Sequence, residues 1–469
     1  ALTAALVRAP NAAPAQVAQR ACGVLKLMQP KGADCGGLDL FTQAALQRRD
    51  WPASEGVAPH VARLLVAQQV APRRNAIRSS LSAPLQRYAL QTLTQHLREL
   101  QGRHVEDAAL MVLDNASGEV LAWVGSSGTL SQAAEVDGVT ALRQSGSTLK
   151  PFLYAQAIAE RRLTAASLLD DSGAQIQTAG GLYIPQNYDH QFKGWVSART
   201  ALAASLNVPA VRTLVMVGPD AFQKQLLVLG LPLKESGDYY GYSLALGSAE
   251  VSLLTLTNAY RALANSGRFS PYALTPGTKS VWRTALDPRA AFIASDMLSD
   301  ANARAPTFGT DSVLATRFWS AVKTGTSKDM RDNWAVGYSQ AYTVGVWVGN
   351  ASGAPMWDVS GTTGAAPIWA AMMHYLHTTQ PSRAPKPPAG VVQAKVQFAA
   401  ASGGAATEAT RGLGATEATR PEWFIQGTQQ DQFAMNNEAN YAYSTRATGQ
   451  KTSNSQATAR ITSPTHGSI

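Results

Sequence analysis

An α+β fold, with an antiparallel sheet packed by helices and a mainly helical subdomain, follows from three observations on this chain. A β-rich pair of segments, AALMVLD and EVLAWVG, is separated from a second β-rich block by a long run of helical pattern. The strands of the second block, in FWSAVKTGTS, NWAVGYS and YTVGVWVGN, are joined by links too short for crossovers, so neighbours must run antiparallel. Strands segregated around a helical run, rather than alternating with helices, argue α+β.

Residues 1–50 read as short helices: AQVAQRACGVLKLM has apolar residues at helical spacing, and LFTQAALQRR is a second candidate. A looser stretch carries Trp51, Pro52 and Pro72. APLQRYALQTLTQHLREL is then amphipathic, with Ser82 as N-cap and Pro84 just inside the start. The turn residues NASG join the first two β-rich runs into a hairpin. Residues 147–310 are mainly helical by pattern, and VSLLTLTNAYRALANSG ends at Gly267 as its expected C-cap. Three strands and the helix APIWAAMMHYLHTT follow. After Pro381 the composition shifts. PSRAPKPPAG reads as a proline-rich linker, the two ATEATR copies at 406–411 and 415–420 as spacer, and 427–460 as a flexible polar stretch.

Length and composition narrow the function classes. The 469 residues suggest two or three domains, and 45% hydrophobic content is globular. The net charge of +9 suits an anionic partner in principle. The basic residues are scattered, however, with no run longer than a pair and no nucleic-acid motif, so no nucleic-acid partner is expected. The seven histidines form no ligand pair, and the two cysteines fit no zinc pattern, so no metal is expected. A disulfide between Cys22 and Cys35 is neither required nor forbidden by their spacing. No run of 18 apolar residues is present to span a membrane.

The stretch QSGSTLKPF, 144–152, carries the chemistry. On a helix, Ser147 and Lys150 would lie side by side. A serine hydroxyl needs a base, and a lysine can serve once burial or nearby positive charge lowers its pKa. Gly146 permits close approach, and Pro151 suits a first helical turn. Alone, the motif is also compatible with an ordinary helix start. Two further elements follow in order: Ser205-Leu206-Asn207, and Lys323-Thr324-Gly325-Thr326 at a strand end. Together the three form the signature of β-lactamases and penicillin-binding proteins. In that scheme Lys323 presents positive charge to a substrate carboxylate or to Ser205, and Thr324 and Thr326 offer hydroxyls to the carboxylate. Gly325 leaves room for a peptide along the strand edge. The N–H groups of Ser147 and Thr326 form an oxyanion hole. Ser205 relays a proton, and Asn207 orients Lys150 and a substrate carbonyl.

Longer stretches, among them VLDNASGEVLAWVGS, VDGVTALRQSGSTLKPF, ALAASLNVPAV and KTGTSKDMRDNWAVGYS, resemble the transpeptidase part of class A, bifunctional penicillin-binding proteins, most closely the 1C type. The resemblance covers roughly 80–380. It implies a penicillin-binding protein/β-lactamase-like transpeptidase fold and an enzyme of the bacterial periplasm that cross-links peptidoglycan stem peptides. The implied chemistry is a serine acyl-enzyme at D-Ala-D-Ala, with β-lactam antibiotics as mimics and no cofactor. The implied domains are a glycosyltransferase remnant at 1–50, a linker and helix at 51–105 and the transpeptidase domain at 106–380. A low-complexity linker at 381–422 and a flexible tail with the start of a C-terminal β-sandwich at 423–469 complete them. Membrane association is expected only through an N-terminal anchor not contained in these residues. Glycan polymerisation is expected to be absent, and residues 1–50 to be mobile. Ser145 replaces the Pro or Ala frequent in similar proteins, with little effect expected.

A β-lactamase would need a deacylating water, for which Glu160 and Glu235 are available. A non-catalytic scaffold is the other rival. Trp334, Trp347 and Trp369 are expected in the core. Tyr188, His190 and Trp195, in and beside YIPQNYDHQFKGW, are expected near the cleft.

Overall fold

This computed structural model describes residues 1–2, 4–5, 12–30, 32–46, 56–68, 76–178, 181–399 and 417–434. Trp51, Pro52, Pro72, the first ATEATR copy and 435–460 of the polar stretch lie outside them. The chain divides into two compact units, Ala1–Gly56 and Val57–Ile469.

The first unit contains α1 (Pro14–Met28) and α2 (Leu38–Leu46), where the apolar spacing places helices. Val17 and Ala21 of α1 pack with Leu38 and Leu46. Cys22 and Cys35 are disulfide-bonded, which settles the pairing that their spacing left open.

In the second unit, α3 (Pro59–Ala67) and the amphipathic α4 (Ala83–Glu99) lead to the hairpin of β1 (Asp107–Asp114) and β2 (Val120–Val124). Ser82 is the N-cap of α4 by position, though its side chain makes no capping bond. The helical subdomain follows. It holds α5 (Lys150–Ala159), a two-stranded ribbon of β3 (Leu168–Asp171) and β4 (Gly194–Ser197), α6 (Ala198–Ala203), α7 (Asn207–Val217) and α8 (Pro219–Val228). It continues with α9 (Leu253–Ala264), α10 (Pro288–Ser299) and α11 (Ala301–Phe308). Helix α9 stops before Gly267: Asn265 is its C-cap, and the chain turns away through Ser266 and Gly267, both at positive φ.

The chain then returns to the sheet with β5 (Ala321–Thr326), β6 (Asp332–Tyr338) and β7 (Tyr342–Gly349), before α12 (Ala365–Leu376). The sheet order is β5-β6-β7-β1-β2, antiparallel throughout. Ala109, Met111 and Leu113 of β1 face one core with the helical subdomain. Ala108, Leu110 and Val112 face a second core with α4 and α12. Side chains alternate between faces, and both faces are covered, so β1 reads as one apolar run. Trp334, Trp347 and Trp369 are all buried, as expected. Strand β5 is an edge, with its outer side turned away from the ladder.

Past Pro381, composition conceals order. Val391–Ala399, inside the stretch that reads as a linker, is a strand (β8). It pairs antiparallel with β9 (Arg420–Ile425) and parallel with β10 (Gln432–Ala434). Trp423 meets Phe292 of α10 edge to face at 5.4 Å. Arg199 of α6, 6% exposed, donates from Nε to the buried Glu422 at 2.9 Å, and also pairs with Asp296 and Asp300. Glu417 accepts from the Ser197 N–H at 2.6 Å, and Arg420 donates to the Ser197 hydroxyl at 3.0 Å. This small sheet therefore straps the start of α6, an arrangement that a reading by composition cannot see. Among the described residues, no helix is long and apolar enough to cross a membrane.

Candidate active site

Ser147 lies in a short 3-10 helical turn, Gly146–Leu149, that feeds directly into α5, with Pro151 in the first turn of that helix. Backbone contacts on both sides hold the turn. Gly146 (φ +53°) donates its N–H to the Gly247 carbonyl at 3.3 Å, and a Cβ on Gly146 would lie 2.8 Å from the Thr326 carbonyl oxygen. Only glycine combines positive φ with so close an approach. Trp334 Nε1 donates to the Gln144 carbonyl at 2.8 Å, and the Tyr260 hydroxyl to the Thr148 carbonyl at 2.6 Å. The buried Ser145 hydroxyl donates to the Ala249 carbonyl at 3.2 Å.

The second element comes from the junction of α6 and α7. Ser197 caps α6 by accepting the Thr200 N–H. After Ala203 the chain turns through Ser205, whose φ of +63° is strained for a non-glycine residue, and Asn207 opens α7. The third element is the end of β5, where a Cβ on Gly325 would meet the Ser145 carbonyl oxygen at 2.7 Å and Thr148 Cγ2 at 2.8 Å. Gly325 is therefore required by the packing of β5 on the Gly146–Leu149 turn, a constraint separate from the room for a ligand expected from sequence.

These elements meet in one cleft of about 770 Å³. Ser147, Ser205, Asn207, Thr324, Gly325 and Thr326 line it. Lys150 and Lys323 are buried beneath, 0% and 2% exposed. Lys150 Nζ donates to the carbonyls of Ser205 (2.8 Å) and Leu206 (3.0 Å) and to Asn207 Oδ1 (2.7 Å). Lys323 Nζ donates to the Ser205 hydroxyl at 2.7 Å and the Thr324 carbonyl at 2.9 Å. Ser205 thus bridges the two amines. The side-by-side pairing of Ser147 with Lys150 takes an unexpected form: among the described residues, no hydrogen bond joins Lys150 Nζ to the Ser147 hydroxyl. The amine spends all three possible donors on the 205–207 turn, the arrangement of a charged ammonium.

The electrostatics oppose that charge. Burial holds Lys150 well below an ordinary lysine's pKa, the charge of Lys323 adds to the effect, and Asp171 opposes it. Lys323 is lowered to about 7, first by burial and then by the charge of Arg304. Two buried amines sharing one serine cannot both hold a proton cheaply. A neutral Lys150 would release one of its acceptors and turn a lone pair outward.

Of the aromatic candidates, Tyr188 lines the cleft, together with Tyr183 and Phe308; His190 and Trp195 do not. Asp329 is the one carboxylate among its described lining residues, and neither Glu160 nor Glu235 belongs to it. Sequence reasoning missed Gly247, which sits in ALGS without a recognisable pattern. It also missed Asn187, which adjoins Tyr188 in a segment already marked as near the cleft.

The described fold agrees with that of known proteins. The penicillin binding protein transpeptidase domain matches residues 108–374. The chain is 34% identical over 316 residues to penicillin-binding protein 1C of Escherichia coli, covering 66% of this chain and 39% of that protein. It is 31% identical over 314 residues to penicillin-binding protein 1A of Neisseria lactamica, covering 62% of this chain and 38% of that protein. The chain thus spans under two-fifths of the length of these relatives. Among solved structures, penicillin-binding protein 1A from Haemophilus influenzae superposes with a TM-score of 0.66 at 18% identity, over 89% of this chain and 83% of that one. The PonA1 protein from Mycobacterium tuberculosis in complex with penicillin V superposes with a TM-score of 0.56 at 22% identity, over 67% and 89%. Sheet order, cleft and domain match converge on one conclusion: the chain belongs to the penicillin-binding protein transpeptidase family.

Proposed function

We propose that the chain is a serine D,D-transpeptidase of peptidoglycan synthesis, acting through an acyl-enzyme on Ser147. The observation that carries this reading is the convergence of Ser147, Ser205, Asn207 and Thr324–Thr326 on one cleft, with two buried amines of lowered pKa beneath it.

In this reading neutral Lys150 takes the proton of Ser147 as its oxygen bonds the carbonyl carbon between two D-alanines. The N–H groups of Ser147 and Thr326 stabilise the resulting oxyanion. The C–N bond breaks as Ser205 passes its proton to the departing D-Ala amine and takes one back from Lys323. An amine of a second stem peptide, or water in a carboxypeptidase side reaction, attacks the ester, its proton passing through Ser205 to Lys323, and Lys150 returns the first proton to Ser147 as the ester C–O bond breaks. Thr324 and Thr326 hold the substrate carboxylate, and Asn207 keeps Lys150 oriented. β-Lactams acylate the same serine. Neither Glu160 nor Glu235, the carboxylates a β-lactamase reading would call on, lines the described cleft, which favours slow release of that adduct. The intact three-part site argues against a scaffold role. Acyl transfer, not glycan polymerisation, is the activity proposed for these residues, in a periplasmic enzyme.

Incubation with a penicillin, followed by intact mass, tests the reading. One persistent adduct, absent in Ser147→Ala, is expected. Loss of the adduct within seconds would indicate a β-lactamase, and no adduct on folded protein a scaffold.

A further inference from the structure

Behind the 205–207 turn lies a second layer of polar side chains that none of the three motifs contains. Asp171, at the end of β3, is fully buried. Its two oxygens accept from Asn187 Nδ2 at 2.9 and 2.8 Å, and one also accepts the Lys193 N–H at 2.8 Å. Asn187, 3% exposed, turns its own oxygen toward α7. That oxygen accepts the N–H of Asn207 at 2.8 Å and of Val208 at 3.4 Å. The neighbouring Gln186 carbonyl accepts Asn207 Nδ2 at 2.8 Å. With its nitrogen so engaged, Asn207 has only its oxygen left for Lys150.

This is a built arrangement. The first N–H groups of a helix have no partner within it, and α7 takes its partner from Asn187, outside the helix. Asn187 in turn is held by a carboxylate buried on a neighbouring strand. The chain of contacts runs Asp171, Asn187, Asn207, Lys150. A change at its start is felt at the amine both through geometry and through charge.

We infer that Asp171 and Asn187 are positioning residues for the acyl-transfer site, holding Asn207 with its oxygen on Lys150. The inference rests on the transpeptidase reading above. The charged and titratable groups involved are few. Lys323 from β5 and Asp171 from β3 bear on Lys150. Lys193 and Asp189, on the loop before β4, bear on Asp171, and Tyr154 of α5 is affected by it.

The experiment is the rate of penicillin acylation against pH, for wild type and Asp171→Asn. The rate should rise with pH as Lys150 loses its proton. Asparagine at 171 keeps an oxygen for Asn187 but removes the negative charge that favours the ammonium. The rising limb should therefore move to lower pH, by about half a unit to one unit. A merely structural role would lower the rate at every pH and leave the limb where it is, which would overturn the inference. Should Asp171→Asn fail to fold, Asn187→Ala decides. It withdraws the acceptor of the Asn207 N–H and the donor to Asp171, loosening Asn207 Oδ1 from Lys150, so the ammonium loses support and the limb should again move to lower pH; an unmoved limb there would overturn the inference equally. If wild type itself takes no penicillin, the transpeptidase reading fails and takes this inference with it.

Discussion

Gly247 and Gly146 meet backbone to backbone, so closely that a Cβ on Gly247 would lie 1.9 Å from the Gly146 carbonyl oxygen. No side chain stands between the loop before Glu250 and the turn that carries Ser147. Gly247→Ala must displace that turn, which Thr326 backs on its other side. Misplacement by about 1 Å costs on the order of 100-fold in rate. Penicillin acylation followed by mass spectrometry should slow at least that much, while circular dichroism stays native. An unchanged rate would show that the turn relaxes without harm.

Lys150→Arg separates charge from basicity. Arginine can keep the donors to Ser205, Leu206 and Asn207 but cannot lose its proton near neutral pH. A folded variant acylating about 100- to 10,000-fold more slowly is the expected result for a lost general base. Near-normal acylation would mean that Lys150 serves only as a structural cation.

The lysine pair also sets how stability varies with pH. An unfolded lysine holds its proton up to about pH 10.4, whereas folded Lys323 releases its proton near 7. Between these values the unfolded chain binds more protons, so stability rises with pH, by at most about 1.4 kcal/mol per unit for one such group. Lys150 acts in the same direction. The buried Tyr154, Tyr260 and Tyr338 have raised pKa values and hold their protons longer when folded, which reverses the slope above about pH 10. Urea unfolding of wild type at pH 7 and 9.5 should show the rise. Lys323→Met should flatten it.

Arg199 and Glu422 form a buried ion pair across the strap. Removing Glu422 leaves Arg199 with Asp296 and Asp300, and removing Arg199 leaves Glu422 with Arg420, so the cost is at most about 3–5 kcal/mol, that of a fully stranded buried charge. Glu422→Gln and Arg199→Met should each destabilise by up to that much, and the double variant by clearly less than the sum. A strictly additive double variant would mean that the two do not act as a pair.

The sheet and the three motifs were legible because each leaves a local mark. β1 is a run of apolar residues, and Ser147, Asn207 and Lys323 stand in short fixed patterns. Asn187 leaves no such mark, because its partners Asp171 and Asn207 lie 16 and 20 residues away with no periodic relation. Gly325 was legible as a required glycine, but the packing that also requires it was not, since the Ser145 carbonyl that excludes a side chain comes from a distant segment. Strand β8 was hidden by the prolines before it and the repeats after it. What identifies it is docking against Phe424 and Ala166, a tertiary contact.

The register of β1 against β7 also governs when this molecule can be finished. Asn115, just past β1, and Thr343 in β7 are hydrogen-bonded yet stand 228 positions apart. At about 5–20 residues per second, a ribosome needs roughly 10–45 s to make the intervening chain. Throughout that interval the β1–β2 hairpin presents an unpaired apolar edge. The nascent chain therefore passes through a stage at which an interior strand of its future sheet has one edge unpaired, a ready template for pairing with another chain until the last strands emerge.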